Sequence, residues 1–140
     1  MNIKVLSEKQ IENFKTDKTH IVISIRSPKT SQANLPKSDS RIGTLFLEFS
    51  DLDSNYIGLM GTKLFTQEDA RAILLFVNSL KEMVDLVVCQ CEAGISRSAG
   101  VAGALSRIFN GKDEYFFKNY LPNHLVYSTI LKVWNEENYE

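Results

Sequence analysis

Apolar and polar positions along this chain fall into short apolar runs that alternate with longer amphipathic segments. The short runs at 20–25 (HIVISI), 44–49 (TLFLEF) and 86–89 (LVVC) consist mainly of β-branched or large apolar residues, which predicts buried strands. Apolar residues three and four positions apart predict a helix over residues 66–83, capped at Thr66. The face that this helix is expected to bury consists of Ala70, Ile73, Leu74, Val77 and Leu80.

Caps and chain breakers divide the rest of the sequence. Ser7 and Gln10 form a capping box, which predicts a helix that continues through Phe14. Gly111 is expected to end a helix over 98–109, whose alanines and glycines allow it to pack very close to a sheet. The other segments are a short apolar start at 3–6, loops at 26–41 and 50–65, an aromatic helix near 114–119 and a last helix from about 122 to 137.

The alternation of strands and helices predicts the fold class. It is typical of an α/β domain in which helices flank a central, mainly parallel sheet of about four to five strands. A chain of 140 residues with 44% hydrophobic and 24% charged residues is expected to form a single domain over 1–140.

Charge and targeting signals narrow the expected partners and location. The net charge of -1 gives no reason to expect a nucleic acid or an anionic membrane as the main partner. The start of the chain lacks a signal-peptide pattern, and no apolar run approaches membrane-spanning length. Its two cysteines form no disulfide framework. We therefore expect a cytoplasmic protein, acting as a monomer on a small or protein-borne substrate.

The segment VVCQCEAGISRSAG, residues 87–100, joins a strand to a helix through a loop of small residues. In a parallel sheet the carboxyl end of a central strand opens onto a crevice, and the next helix points its amino end there. Backbone N–H groups of the loop and of the helix terminus then form an anion site. Arg97 completes it with a planar guanidinium that suits two phosphate oxygens. The residues expected to bind phosphate are Glu92, Ala93, Gly94, Ile95, Ser96 and Arg97.

Cys91 is expected at the floor of this loop, in the same field of amide groups. That field stabilises negative charge on sulfur, and the thiolate is the nucleophilic form of cysteine. A thiolate directed at a phosphorus atom that amides and Arg97 hold is an arrangement for nucleophilic phosphoryl transfer. We expect no metal or other cofactor, because the arginine and the amides already neutralise the phosphate charge.

The order Cys91, five residues, Arg97 and Ser98 resembles the signature of the protein tyrosine phosphatase superfamily. It looks most like the compact dual-specificity branch in its small bacterial or phage versions, and the tail YLPNHLVYSTIL (120–131) is similar too. The resemblance implies a dual-specificity phosphatase-like fold and a phosphorylated substrate, either phosphotyrosine alone or phosphoserine and phosphothreonine as well. It implies that Cys91 forms a phosphocysteine, Arg97 binds the phosphoryl oxygens and Ser98 stabilises the departing thiolate.

Such an enzyme needs a general acid, because an alkoxide or phenolate is a poor leaving group. In proteins that this chain resembles, the acid is an aspartate on a loop after an earlier strand. Asp51 and Asp53 both follow the strand at 44–49, and Asp51 is the first choice because it lies nearer the usual position. For each of them, a solvated turn or cap aspartate is the alternative.

Several other residues have alternative interpretations. Cys89 is expected to be a buried strand cysteine rather than half of a disulfide or a metal ligand. Arg26 is expected to be a solvated loop arginine, although its strand should end beside the cysteine strand. Asn123 is interpreted as a helix cap. The aromatic group is interpreted as core and comprises Tyr115, Phe116, Phe117 and Tyr120.

Gln90 departs from the resemblance, which has histidine before the cysteine. A glutamine can still donate a hydrogen bond, but it has no ring and cannot become positively charged. Two other functions therefore stay open. One is a catalytically weak module that binds phosphorylated partners, and the other is a phosphatase for a non-protein ester such as a nucleotide, an RNA 5′ end or an inositol phosphate.

The substitution Gln90→His tests the consequence of this difference. We expect it to increase the ionised fraction of Cys91 at neutral pH and to speed the chemistry, because histidine would orient the loop and stabilise the thiolate. Thiolate absorbance followed against pH in wild type and variant measures the effect. Two superimposable titration curves would contradict this role for residue 90.

Overall fold

The computed structural model describes residues 1–52, 61–137 and 139. Strands and helices alternate along much of the described chain, as the sequence predicts. The strands are β1 (Ile3–Leu6), β2 (His20–Arg26), β3 (Arg41–Glu48) and β4 (Leu86–Gln90). The helices are α1 (Glu8–Ile11), α2 (Gln67–Leu80), α3 (Arg97–Asn110), α4 (Glu114–Asn119) and α5 (His124–Glu136), and a short 3₁₀ turn, Lys81–Met83, follows α2.

Within the described residues, the strands form one four-stranded sheet in the order β1-β4-β2-β3, and each pairing is parallel. β4 is therefore a central strand, as predicted, and it ends beside β2. All five of its residues are buried. A parallel sheet that is covered on both faces requires such a nearly continuous apolar strand. The predicted α/β class with a parallel sheet is confirmed.

The two faces of the sheet are covered unequally. α2, α3 and α5 pack on one face and enclose the larger core, which includes Val87, Cys89 and Cys91. α1 covers the other face together with parts of the loop after β2, and the smaller core there includes Leu86 and Val88. Alternate residues of β4 thus point to opposite faces, as the strand period requires. Among the described residues, no helix has the length and apolar character needed to cross a membrane.

The structure confirms most predicted segments and corrects some of their ends. α1 ends at Ile11 rather than Phe14, because the N–H groups of Asn13 and Phe14 bond carbonyls three residues back and tighten the chain into a turn. β3 begins at Arg41, three residues earlier than predicted. The Thr66 cap is confirmed, and the predicted face of α2 is buried except for Leu80, which is only partly buried.

α3 and α5 approach each other closely where both helices begin. A Cβ atom at Gly100 would lie 2.8 Å from the carbonyl oxygen of Asn123 and 3.1 Å from Cβ of Val126. A Cβ at Gly103, one turn further along α3, would meet Tyr127 only at an ordinary contact distance of 3.5 Å. Gly100 therefore lets the first turn of α5 lie against the first turn of α3.

Alanine at these two positions of α3 should have opposite effects on stability. Gly103→Ala should stabilise the protein by about 0.5–1 kcal/mol, since alanine loses less backbone entropy in a helix. Gly100→Ala should destabilise it by about 1–3 kcal/mol, because backbone must move to admit the methyl group. Urea denaturation of both variants measures the difference. Two variants of equal stability would contradict the close approach of the helices.

Candidate active site

The loop between β4 and α3 is held in place by backbone hydrogen bonds to two neighbouring segments. On one side, Glu8 N–H donates to the carbonyl of Glu92 at 3.0 Å. On the other side, Leu121 N–H donates to the carbonyl of Ile95 at 3.1 Å, and Asn123 N–H donates to the carbonyl of Ser96 at 2.9 Å. A trans peptide points its C=O and N–H in opposite directions. The N–H groups that follow these carbonyls therefore face away from the bracing segments.

The N–H groups of the loop have no acceptor in the described part of the chain. None of residues 93–97 donates a backbone hydrogen bond to a described residue. Ser96 is the N-cap of α3 and makes no side-chain capping bond, so the end of the helix keeps its unsatisfied donors and its partial positive charge. Several free donors at one helix terminus are what an anion site requires.

Gly94 allows the loop to turn. Its φ of +67° lies in the left-handed region, and a Cβ atom there would lie 2.5 Å from the backbone nitrogen of Ser7. Any side chain would therefore collide with the connection between β1 and α1. The loop is thus shaped both by the glycine and by the backbone that presses against it.

Arg97 is a buried cation at the first position of α3, and its side chain is only partly satisfied. The residue is 5% exposed. Its Nη1 donates to Oγ of Ser27 at 2.9 Å and to the carbonyl oxygen of Phe49 at 3.0 Å. Its Nε is buried and has no hydrogen-bond partner among the described residues, whose ion pairs do not include Arg97. A buried guanidinium without a counter-ion is costly, and a bound anion would remove that cost.

Cys91 lies at the start of this loop and faces the larger core. It is 2% exposed, and its Sγ lies 3.1 Å from Oγ of Ser98, in the first turn of α3. The structure therefore brings together the predicted nucleophile, the predicted anion-binding arginine and the serine that follows it. The hydroxyl can donate a hydrogen bond to a negatively charged sulfur.

Cys89 and Gln90 have different surroundings from Cys91. Burial, with a smaller contribution from Cys91, raises the pKa of the Cys89 thiol far above its ordinary value. Cys89 therefore stays protonated in the range over which a Cys91 titration would be followed. Gln90 is buried on the opposite face of the sheet, where its Oε1 accepts a hydrogen bond from Oγ of Ser24 on β2.

Asp51 lies after β3 and, among the described residues, accepts one hydrogen bond from the loop and one from the N-cap of α5. Its Oδ1 accepts from Oγ of Ser96 at 2.9 Å and from Nδ2 of Asn123 at 2.8 Å. The same Nδ2 donates to the carbonyl of Leu52 at 3.0 Å. The first-choice aspartate thus sits beside the anion loop, whereas Asp53 lies outside the described residues.

Asn123 has a second role that the sequence interpretation missed. As predicted, it caps α5, because its Oδ1 accepts from Val126 N–H at 3.0 Å. Its amide nitrogen, in addition, holds the Asp51 carboxylate, and the residue is 1% exposed. The sequence signal that could have indicated this was the tail resemblance at 120–131, since nothing in the local pattern distinguishes this cap from another.

The loop, the segment after β3 and the chain from α4 to the start of α5 surround a cavity of about 690 Å³. Its polar side contains Asp51, Cys91, Ser96 and Arg97, and Ala93 also lines it. Its apolar side consists of Ile95, Phe117, Tyr120, Leu121 and Pro122. Of the other predicted loop residues, Glu92 is exposed, and Gly94 lines a second cavity of about 500 Å³, which Ala93 and Tyr120 also line.

The exposure of the aromatic side chains between residues 115 and 120 corrects the prediction that this group belongs to the core. Only Phe116 of this group is buried, whereas Tyr115 is 62% and Phe117 44% exposed. Burial first, and then its neighbour Tyr115, raises the pKa of Tyr120, so this phenol adds no negative charge to the cavity at neutral pH. Tyr120 is half-buried and still packs against the larger core, while Phe117 lines the cavity.

Arg26 does not reach the cavity of Cys91. Its Nη2 forms an ion pair with Glu48 at 2.9 Å, and its Nη1 donates to the carbonyl of Thr30. It lines a smaller cavity near Gln90. Among the described residues, no group of three or more histidine, cysteine, aspartate or glutamate side chains is placed to hold a metal ion.

Comparisons with known proteins identify the fold. No family model and no curated protein matches the chain. Among solved structures, the human tyrosine phosphatase-like serine/threonine/tyrosine-interacting protein is similar, with a TM-score of 0.63 and 18% identity over 94% of this chain and 89% of that one. The chain has a dual-specificity phosphatase-like fold.

Two further structures agree with this assignment. Human DUSP28 has a TM-score of 0.57 and 15% identity over 96% of this chain and 92% of its own. Tk-PTP in its active form has a TM-score of 0.53 and 15% identity over 97% and 90%. At these identities the comparison concerns the fold, and the chemistry has to be argued from this chain's own residues.

Proposed function

We propose that this protein is a cysteine-dependent phosphatase that hydrolyses phosphotyrosine through a phosphocysteine intermediate. One observation carries the proposal: the buried Arg97 guanidinium has no ionic partner among the described residues, and it lies at a helix terminus beside Cys91. A phosphate dianion would be the counter-ion that Arg97 lacks, and its oxygens would accept hydrogen bonds from the free N–H groups of the loop. Phosphoserine and phosphothreonine are further substrates for the same chemistry.

The first step would transfer the phosphoryl group to Cys91. With the phosphate oxygens held by the loop and Arg97, the Sγ thiolate attacks phosphorus and an S–P bond forms as the bond to the leaving oxygen breaks. Asp51, which lines the same cavity, donates its proton to that oxygen. The products are phosphocysteine and the dephosphorylated alcohol or phenol.

The second step would release phosphate. The Asp51 carboxylate accepts a proton from water as the water oxygen attacks phosphorus, and the S–P bond breaks. Ser98, whose Oγ lies 3.1 Å from Sγ, donates a hydrogen bond to the departing thiolate. Inorganic phosphate leaves, and Asp51 is again protonated for the next cycle.

The site draws on residues from distant parts of the sequence, which supports one phosphatase-like domain over 1–140. Ser27 follows β2, Asp51 follows β3, Cys91 follows β4 and Asn123 precedes α5. The apolar wall of the cavity favours an aromatic leaving group, since Phe117 and Tyr120 can contact a phenyl ring. Phosphotyrosine fits this wall better than a nucleotide or an inositol polyphosphate, which would need more cations.

A phosphate-binding module is the second candidate. Gln90 favours it, because the side chain before Cys91 bonds Ser24 on the far face of the sheet and brings no positive charge to the sulfur. The similar human protein is itself named phosphatase-like and interacting, so this fold does not by itself establish turnover. Phosphopeptide binding by the wild type without phosphate release would favour the module.

The nucleophile is tested by replacing each cysteine in turn. Cys91→Ser should lower hydrolysis of p-nitrophenyl phosphate on the order of 10³-fold or more, because the thiolate is lost. Cys89→Ala is the matched control: this buried thiol lies on β4, two residues before Cys91, and its loss should leave turnover near the wild-type value. Vanadate should inhibit the wild type. Persistent activity in Cys91→Ser would contradict the mechanism.

The acid is tested by its dependence on the leaving group. Asp51→Asn should lower kcat/KM on the order of 10²-fold for phenyl phosphate, but little for p-nitrophenyl phosphate, whose phenolate leaves without a proton. The basic limb of its pH profile should also disappear. Asn123→Ser should show a weaker form of this pattern, because serine keeps the helix cap but loses the amide that holds Asp51.

Asp53→Asn serves as the control for this experiment. If Asp53→Asn shows the dependence on leaving group and Asp51→Asn does not, then Asp53 is the acid and the assignment of Asp51 is wrong. If Asn123→Ser behaves as wild type with phenyl phosphate, the amide does not position the acid. Its denaturation midpoint, measured beside that of wild type, separates this readout from a general loss of stability.

A further inference from the structure

Three large apolar side chains are exposed around the candidate active site. Ile95 is 46%, Phe117 44% and Leu121 75% exposed, and all three line the cavity that contains Cys91. Single exposed apolar residues are ordinary on a protein surface, but several around one cavity mark a binding surface. They stand where the cavity opens to solvent, so they contact what lies next to a bound phosphoryl group.

The same surface is poor in positive charge. Among the described residues that line the cavity, Arg97 is the one cation, and it is committed to the phosphate. The other charged side chain there is Asp51. Residues 53–60, which lie outside the described part, contain no lysine or arginine in their sequence DSNYIGLM. Lys9 lines the second cavity but not the first, although Ala93 and Tyr120 line both.

The cavity is also larger than an aryl phosphate requires. Its volume of about 690 Å³ lies within the range of pockets that enclose drug-sized ligands, roughly 300–1,000 Å³. A phosphotyrosine side chain would leave room for the residues beside it in a peptide. Those residues would then lie against Ile95, Phe117 and Leu121.

We infer that the site selects phosphotyrosine flanked by apolar residues over phosphotyrosine flanked by acidic residues, an inference that rests on the proposed function. An apolar flank removes the exposed side chains from water, which is favourable in proportion to the area covered. Acidic residues beside the phosphotyrosine would lose hydration at this surface and would be repelled by Asp51. Among the described residues that line the cavity, Arg97 is the one cation that could compensate them, and it binds the phosphate. Selectivity therefore resides in the exposed wall rather than in the phosphate loop.

Two phosphotyrosine peptides of equal length test this inference, one with leucine and the other with glutamate on both sides of the phosphotyrosine. We expect kcat/KM for phosphate release to be about tenfold or more higher for the leucine peptide than for the glutamate peptide. Leu121→Lys should reduce or reverse that ratio, because it replaces apolar surface with a cation, and added salt should weaken its effect on the glutamate peptide.

Leu75→Lys is the matched control for Leu121→Lys. Leu75 is 61% exposed on α2 and does not line the cavity, so the variant makes the same change in net charge at a comparable exposure. Its ratio between the two peptides should remain that of the wild type. An equal shift in both lysine variants would show that overall charge, and not the cavity wall, sets the preference, and would overturn the inference.

Failure of this inference differs from failure of the proposed function. Hydrolysis of both peptides at equal rates, or faster hydrolysis of the glutamate peptide, overturns the selectivity and leaves the phosphatase intact. If neither peptide nor p-nitrophenyl phosphate is hydrolysed, the proposed function fails. The Kd values of the two peptides, measured by calorimetry, then decide the inference: tighter binding of the leucine peptide supports it, and equal or weaker binding overturns it.

Discussion

The buried positive charge of Arg97 is the constraint on which the site depends. A guanidinium at 5% exposure needs compensation, and the described chain supplies a serine hydroxyl and a backbone carbonyl but no carboxylate. Those two partners follow the ends of β2 and β3, so the arginine also joins the strand ends that surround the cavity. The remaining compensation is left to an anion, which in the proposed function is the phosphate of the substrate.

The loop beneath that charge takes its shape from packing as much as from its own residues. Gly94 permits the left-handed turn, but the connection between β1 and α1 is what leaves no room for a side chain there. Gly100 has the same relation to α5, whose first turn lies against α3, and the segment before α5 donates the N–H groups of Leu121 and Asn123 to the loop. The contacts that close the core therefore also turn the loop N–H groups away from the neighbouring segments, which couples stability to the proposed anion binding.

Asn123 connects the helical core with the chemistry proposed for Asp51. Its side chain makes three hydrogen bonds to described residues, one to cap α5 and two to the segment after β3. The carboxylate is exposed, but its partner is buried and rigid. An exposed acid held by a buried amide can contact a substrate and still keep a defined position. The same cavity has an apolar wall that includes Phe117 and Leu121.

The sequence by itself determined the strands, most helix ends, the α/β class and the grouping of Cys91, Arg97 and Ser98, because these depend on local periods, caps and contiguous residues. Only the tertiary structure decided which distant residues meet them. Asn123 lies 72 residues from Asp51, and Ser27 lies 70 from Arg97. Such pairs depend on the strand order β1-β4-β2-β3, and the exposure of Phe117 at the cavity depends on how α4 packs. Hydrophobic periodicity shows which face of an element is buried, but it does not show against which other element that face packs.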